Sequence, residues 1–278
     1  MIIKKDREGL GEYNNILKRI FSSFILIAIV SFVINSSHLS GLFICILIVL
    51  GIHEFLLMAE RGGIEVYRYF GIFIGAVIPF SIFFQFELNI SWQLFLIVLT
   101  VIFLIVMQLR RRHSKGVISS ISTTIFAILY ISWFLSFLIR IRYMPGGRNL
   151  LLFLILVVKM GDIGAYFIGS RFGKTPLLPL ISPYKSTQGM WGGLFFSMAT
   201  ALVFKPLMNF SYLHLAFLGI FLGILGQLGD LSESLMKRDC NVKDSGDILP
   251  GIGGVLDLMD SFLFTAPVFY FYMNIIIR

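Results

Sequence analysis

Long apolar runs recur through this chain with only short polar breaks between them, and that repetition limits its fold more than any single residue does. Stretches such as Phe21 to Ile34 and Gly41 to Leu50 carry no charge. Neither alternates apolar with polar, as the roughly ten-residue strands of a membrane barrel would. Of 278 residues, 57% are hydrophobic and 14% charged, against about half and a quarter in soluble domains. The pattern predicts an all-α, polytopic integral membrane protein. Spans are expected near 16–34, 41–58, 70–86, 92–109, 118–139, 149–170, 190–204, 212–236 and 256–277, about nine transmembrane helices. The breaks are short, such as Asn35-Ser36-Ser37, Arg110-Arg111-Arg112 and Pro145-Gly146-Gly147, with no linker, low-complexity tract or repeat. One membrane domain over 1–278 is the simplest organisation.

The formal charge of +8 lies in these breaks rather than along a nucleic-acid-binding stripe. Placing the N-terminal end in the cytoplasm puts seventeen Lys and Arg residues inside and five outside (Arg140, Arg142, Arg148, Lys205 and Arg278), with Lys159 within a span. The positive-inside rule favours that orientation. It also makes 171–189 and 237–254 cytosolic. The basic start (Lys4, Lys5, Arg7, Lys18, Arg19) precedes an apolar run without a small-residue cleavage site, so an uncleaved first helix is expected. Cys45 and Cys240 form no disulfide framework, and the four histidines are scattered, which argues against zinc.

Against this background the stretch from Gly226 to Ser261 stands out. It holds seven of the fifteen acidic residues: Asp230, Glu233, Asp239, Asp244, Asp247, Asp257 and Asp260. Charges in or beside a bilayer are costly unless paired or hydrated, so their concentration marks chemistry. Asp230, Glu233 and Lys237 fall on one helical face, as do Asp257, Asp260 and Ser261, and a short polar loop lets the two faces meet. Carboxylates without nitrogen or sulfur ligands describe an oxygen-rich site suited to Mg²⁺. Lys237, Arg238 and Lys243 add cations, completing the parts of a nucleotidyl- or phosphoryl-transfer site. Two further places are unusual. Lys159 and Asp162 sit three apart inside the sixth span, where the glycines at 161, 164 and 169 suit close helix packing. Pro176, Pro179 and Pro183 then forbid a continuous helix, predicting a loop that ends at Lys185, Ser186, Thr187 and Gln188. A lysine and hydroxyls at a helix start form an anion site, although N-capping is the commoner use of Ser and Thr there. Neither a Walker motif nor a dinucleotide fingerprint is present.

At these residues the sequence resembles the bacterial phosphatidate cytidylyltransferases, or CDP-diacylglycerol synthases. Their signature is matched at Ser234, Lys237, Arg238, Lys243, Asp244, Gly246, Leu249, Pro250, Gly253, Gly254, Asp257 and Asp260. Gly226-Gln227, Gly229-Asp230-Leu231, Asp162 with Ala165-Tyr166, and Ser182-Pro183 with 185–189 are similar as well. The likeness covers roughly 150–265, which would carry the catalytic helices and cytosolic loops. Two positions depart: Ile252 stands where the family usually has His, and Leu258 where it usually has Arg.

The resemblance implies a reaction of CTP with phosphatidate to give CDP-diacylglycerol and pyrophosphate. A phosphate monoester is already largely dianionic at neutral pH, so it needs no general base to attack. The resemblance also implies Mg²⁺, with Mn²⁺ as a substitute, held by Asp230 and Asp257 with Asp260 and Asp162 in support. Lys185, Lys237 and Arg238 would hold the triphosphate or phosphatidate, with Ser186, Thr187, Lys243 and Asp244 as further substrate-binding residues. The expected place is a bacterial inner membrane with the site facing the cytoplasm, with a homodimer as an option and no nucleic-acid partner. Two other readings stay open: a CTP-dependent kinase of polyprenol-type lipid alcohols, and a secondary transporter using Lys159, Asp162 and the acidic helices as an ion path. A CDP-alcohol phosphotransferase fits less well, because Ser261 and Phe262 follow Asp260 where its D-x2-D-G-x2-A-R motif requires glycine.

Overall fold

The computed structural model describes residues 21–86, 90–111, 115–246, 248 and 253–277. The basic start at Lys4, Lys5, Arg7, Lys18 and Arg19 lies outside them, as do Arg112, Asp247, Leu249, Pro250, Ile252 and Arg278.

Each expected apolar stretch contains one helical segment among the described residues. In order these are α1 (Phe21–Val33), α2 (Ser37–Arg61), α3 (Arg68–Phe83), α4 (Ile90–Arg111), then α5 (Val117–Ala127) running through a π turn (Ile128–Trp133) into α6 (Phe134–Tyr143). After them come α7 (Gly147–Phe172), α8 (Thr187–Val203), α9 (Tyr212–Asp239) and α10 (Val255–Ile277). Five of these, α2, the joined α5–α6, α7, α9 and α10, are long and apolar enough to cross a membrane. Several start on a serine N-cap: Ser36 accepts from Leu39 N, Ser186 from Gly189 N and Ser211 from His214 N. Arg61 closes α2, and Lys237 with Arg238 closes α9, each placing cations on the negative end of the helix dipole.

The apolar core runs through α2, the π turn, α6, α7 and α10, with Ile48, Ile52, Leu56, Ile131, Leu135, Phe153, Leu154 and Phe269 fully buried. Around α7, α8 and α9 the packing is different, because small residues let backbones touch. Gly161 rests against Ser197, Gly164 against Phe196 and Gly169 against Ser186 and Gly189. The expected use of those three glycines is what the structure has. Ser197 Oγ also donates to Val157 O at 3.0 Å, tying α8 to α7.

Alternate connections gather at opposite ends of the bundle. At one end Gly62 lies against Cys240, and Arg238 Nε donates to Ile181 O at 3.2 Å. At the other, Arg142 donates to Ile34 O, Tyr143 to Phe83 O, and the Tyr272 hydroxyl meets His214 Nε2 at 2.6 Å.

Between α7 and α8 the chain forms a hairpin where the prolines predicted only a loop. Strand β1 (Pro176–Leu178) pairs antiparallel with β2 (Ser182–Ser186), with Pro176 opposite Ser186 and Leu178 opposite Ser182. Its base is fastened by side chains. Gln188 Oε1 accepts from Lys174 N and Thr175 N, Gln188 Nε2 donates to Thr175 Oγ1, and the Thr175 and Thr187 hydroxyls meet at 2.7 Å.

Candidate active site

The hairpin, the start of α8, the last turns of α7 and the middle of α9 enclose a cleft of about 520 Å³. Asp162 and Tyr166 from α7, Lys185 and Ser186 from the hairpin, and Gln227 and Asp230 from α9 supply its polar wall. Lys185 Nζ stands 2.5 Å from Asp230 Oδ2, and Lys159 Nζ stands 3.1 Å from Asp162 Oδ2. Gln227 Nε2 donates to Met190 O at 3.1 Å, bracing α9 against α8.

Behind this wall lies Asp260 on α10. Its Oδ1 accepts from Ser261 N and Ser261 Oγ, and the same hydroxyl lies 3.1 Å from Asp162 Oδ2. On another side α9 packs directly against the Asp260 backbone. This closeness has a sequence cause. Gly229 presses on the backbone of Asp260 and Ser261, a contact that any Cβ would prevent, so α9 and α10 cross where their acidic residues lie. With a rise of 1.5 Å per residue, Asp162, Asp230 and Asp260 lie roughly 8–15 Å inside their helix ends. The site is therefore sunk among the helices and opens toward the hairpin end.

A second polar centre surrounds the start of α10. Asp257 Oδ1 pairs with Lys237 Nζ at 2.7 Å, and Glu233 Oε2 lies 3.4 Å from the same nitrogen. Asp257 Oδ2 accepts from Gly254 N at 2.7 Å and from Ser245 N at 3.3 Å, capping the helix. Gly253 holds φ at 119°, a left-handed region that favours glycine. A Cβ at Gly254 would strike Ser245 Oγ and the carboxylate of Glu54.

Glu54 is the residue the sequence reading missed. It is 1% exposed on α2, and its Oε2 accepts from Leu256 N at 2.8 Å across 202 positions of sequence. An acid inside the apolar run GIHEFLLM was a visible signal, because ionisable residues in spans are functional hypotheses by default. Its partner was not visible. Tyr130, on the π turn, was missed too; its hydroxyl meets Ser232 Oγ at 2.5 Å, one residue before Glu233.

The residues expected at the site therefore divide. Asp162, Lys185, Ser186 and Asp230 share the cleft, with Asp260 directly behind it. Asp257 and Lys237 belong to the second centre. Arg238 holds the hairpin turn, and Thr187 holds the hairpin base. Lys243 and Asp244 are exposed on the connection after α9, and Leu258 is half-buried on α10. Burial first and Asp239 second push the Cys240 thiol up, away from a thiolate nucleophile.

Among the described residues, no group of three or more His, Cys, Asp and Glu side chains is arranged to hold a metal ion. Mg²⁺, however, is commonly bound by one or two carboxylates together with substrate phosphates. Asp162 and Asp230, two carboxylates on the wall of an open cleft, fit that mode of binding.

The chain is similar in sequence to several known proteins. Over 148 residues the chain is 42% identical to a phosphatidate cytidylyltransferase of Bacillus subtilis, covering 52% of this chain and 55% of that one. It is 47% identical over 124 residues to a phosphatidate cytidylyltransferase of Staphylococcus saprophyticus, covering 44% and 48%. It is also 38% identical over 152 residues to the uncharacterized protein YnbB of Escherichia coli, covering 54% and 50%. The chain thus spans about half the length of the curated relatives it matches. A family model described as the cytidylyltransferase family matches residues 17–276, nearly the whole chain, and the chain belongs to that family.

Proposed function

We propose that this protein is a phosphatidate cytidylyltransferase, joining CTP and phosphatidate to give CDP-diacylglycerol and pyrophosphate. The observation that carries the reading is the cleft, whose wall brings Asp162, Lys185, Ser186 and Asp230 together beside the start of α8. Family membership and the names of the relatives support it.

In this reading Lys185 and the Ser186 hydroxyl bind phosphate oxygens, aided by the N-terminal dipole of α8. Asp230 is released from Lys185 when the anionic substrate takes over that lysine. Asp162, Asp260 and Asp230 are the carboxylates nearest the cleft, and Asp257 is the further metal residue that the signature suggests. These residues would hold Mg²⁺ or Mn²⁺, which would supply charge stabilisation for the departing pyrophosphate. Lys237 and Arg238 reach the same end of the bundle from α9, one through Asp257 and the other through the hairpin turn. The phosphatidate monoester attacks the α-phosphorus as a dianion, so no side chain has to remove a proton. Lys243 and Asp244, exposed beside these helices, are proposed nucleotide contacts.

The finer architecture belongs to the same proposal: one domain, nine spans, and a bacterial inner membrane with the hairpin end in the cytoplasm. The lysine and arginine asymmetry supports that orientation. The outward apolar faces of α1 and α4 are compatible with lipid or with a second copy in a homodimer.

The test is purified protein with CTP, phosphatidate and Mg²⁺, measuring pyrophosphate and the lipid product together. Label from α-labelled CTP should enter the lipid. Transfer of γ-label instead would establish the lipid-alcohol kinase reading, and substrate flux in sealed vesicles without pyrophosphate would establish the transporter.

A further inference from the structure

The hairpin between α7 and α8 leaves two of its apolar side chains almost fully exposed. Leu180, at the tip of the turn, is 94% exposed, and Tyr184 on β2 is 91% exposed. With Leu178, also exposed on β1, they gather three apolar side chains on one small element, and grouped rather than single exposed apolar residues mark an interaction surface. The turn is not loose. Arg238 holds the Ile181 carbonyl, and the Gln188, Thr175 and Thr187 bonds clamp the base, so Leu180 and Tyr184 are presented by a fastened element.

What surrounds them indicates the occupant. Tyr166 and Trp191 are exposed on α7 and α8, and they lie about 9 Å and 6 Å from the ends of those helices at the hairpin. Tyr and Trp at such depths mark the boundary between hydrocarbon and headgroups. Arg171 and Lys174, exposed where α7 passes into β1, add positive charge at the same level, which suits anionic lipid. The hairpin also forms a wall of the cleft, through Leu177, Ser182, Tyr184, Lys185 and Ser186, so that Tyr184 stands at the rim between the cleft and the outside. One small element thus has an apolar tip, a cationic flank and a substrate-facing side.

We propose that the hairpin is a wedge inserted into the headgroup layer of the bilayer, with Leu180 and Tyr184 in contact with anionic lipid. In that position it marks the side from which a lipid phosphate passes along Tyr184 to Lys185. Only this last step rests on the reading of the cleft as a phosphatidate site.

Depth can be measured without catalysis. Cysteine placed at Leu180, with Cys45 and Cys240 replaced by alanine, is spin-labelled in nanodiscs containing anionic lipid, and Asp244→Cys serves as the aqueous reference. The expected result is that a label at 180 collides with oxygen several-fold more than with a water-soluble nickel chelate, and that a label at 244 does the reverse. Leu180→Trp in the otherwise wild-type chain gives a second readout, quenching by shallow brominated lipid above that of the three native tryptophans. A label at 180 as open to nickel as the one at 244 overturns the wedge. So does a label shielded from both probes, because protein rather than lipid would then cover the tip. For the last step, Leu180→Asp should raise the KM for vesicle-borne phosphatidate about tenfold and leave the KM for CTP unchanged. An unchanged lipid KM removes the entry route. A wild-type protein inert toward phosphatidate, with the label at 180 in lipid, would instead remove the proposed reaction and leave the wedge standing.

Discussion

Two lysine–aspartate pairs sit near each other in this protein and do different work. Lys185–Asp230 is 30% and 32% exposed and lines the cleft; Lys237–Asp257 is 13% and 15% exposed and lies beside the start of α10. The first pair joins a hairpin to a helix by one contact between the two side chains. The second is tied on every side: Asp257 also takes two backbone N–H groups, Lys237 also faces Glu233, and Glu54 caps the same helix from α2. The same two residue types thus give an exchangeable pair where one contact holds them, and a rigid joint where several do. A buried pair set in such a network is costly to break, because the surviving charge has no water to turn to.

The largest effect should come from the open pair. Asp230→Asn is expected to lower turnover by ~10³-fold or more, with membrane abundance and Tm near wild type. Well-expressed Asp230→Asn with near-wild-type rates would remove this carboxylate from the chemistry. At the closed pair, Asp257→Asn should lose turnover on a similar scale, yet also lower stability by about 2 kcal/mol once partial exposure is allowed for. Thermal unfolding in detergent separates the two cases. The comparison can be sharpened by Lys237→Met combined with Asp257→Leu, which should not recover Tm, because Glu233 loses its cation and the Gly254 and Ser245 N–H groups lose their acceptor.

Lys185→Ala should lower kcat/KM by roughly ten- to a thousandfold through loss of one or two charge-assisted contacts, with Tm unchanged. An unchanged rate would reduce Lys185 to a residue that sets topology. Glu54→Gln is a smaller perturbation. It keeps the acceptor for Leu256 N and removes the charge at the helix start, so a loss of about 1 kcal/mol in stability and within tenfold in kcat is expected. A wild-type Tm for Glu54→Gln would show that α10 does not need that charge. Smallest of all, Leu258→Arg restores the family's usual residue and should leave activity within about tenfold, roughly 1.4 kcal/mol. A shift in preference from phosphatidate to another acceptor would show that position 258 selects substrate.

The helices were legible because each apolar run is long enough to fold and bury its own backbone hydrogen bonds. Their edges are set by serine caps and terminal arginines and lysines, which act within one turn, so α2 and α8 begin three to four residues before the expected bounds of 41 and 190. Of the residues expected at the site, Asp162, Lys185, Ser186 and Asp230 line one cleft, whereas Asp257 and Lys237 lie at the start of α10. The hairpin was not legible: Pro176, Pro179 and Pro183 announce only that a helix stops, whereas the pairing of Pro176 with Ser186 depends on how α7 and α8 bring the ends together. The reading of Lys237 and Asp257 as open site residues also missed their mutual ion pair, which spans the connection between α9 and α10.

By itself the sequence determined the class of protein, the order of its helices, and the chemistry concentrated after Gly226, because hydrophobicity and charge are local properties of the chain. Only the tertiary structure decided which acid faces which lysine. Glu54 reaches Leu256 because α2 packs on α10, and α9 meets α10 at Asp260 because Gly229 lets two backbones touch. Contacts of that kind depend on the angle and closeness of helix crossings, and a charge in an apolar chain acquires its role only when the crossing supplies its partner.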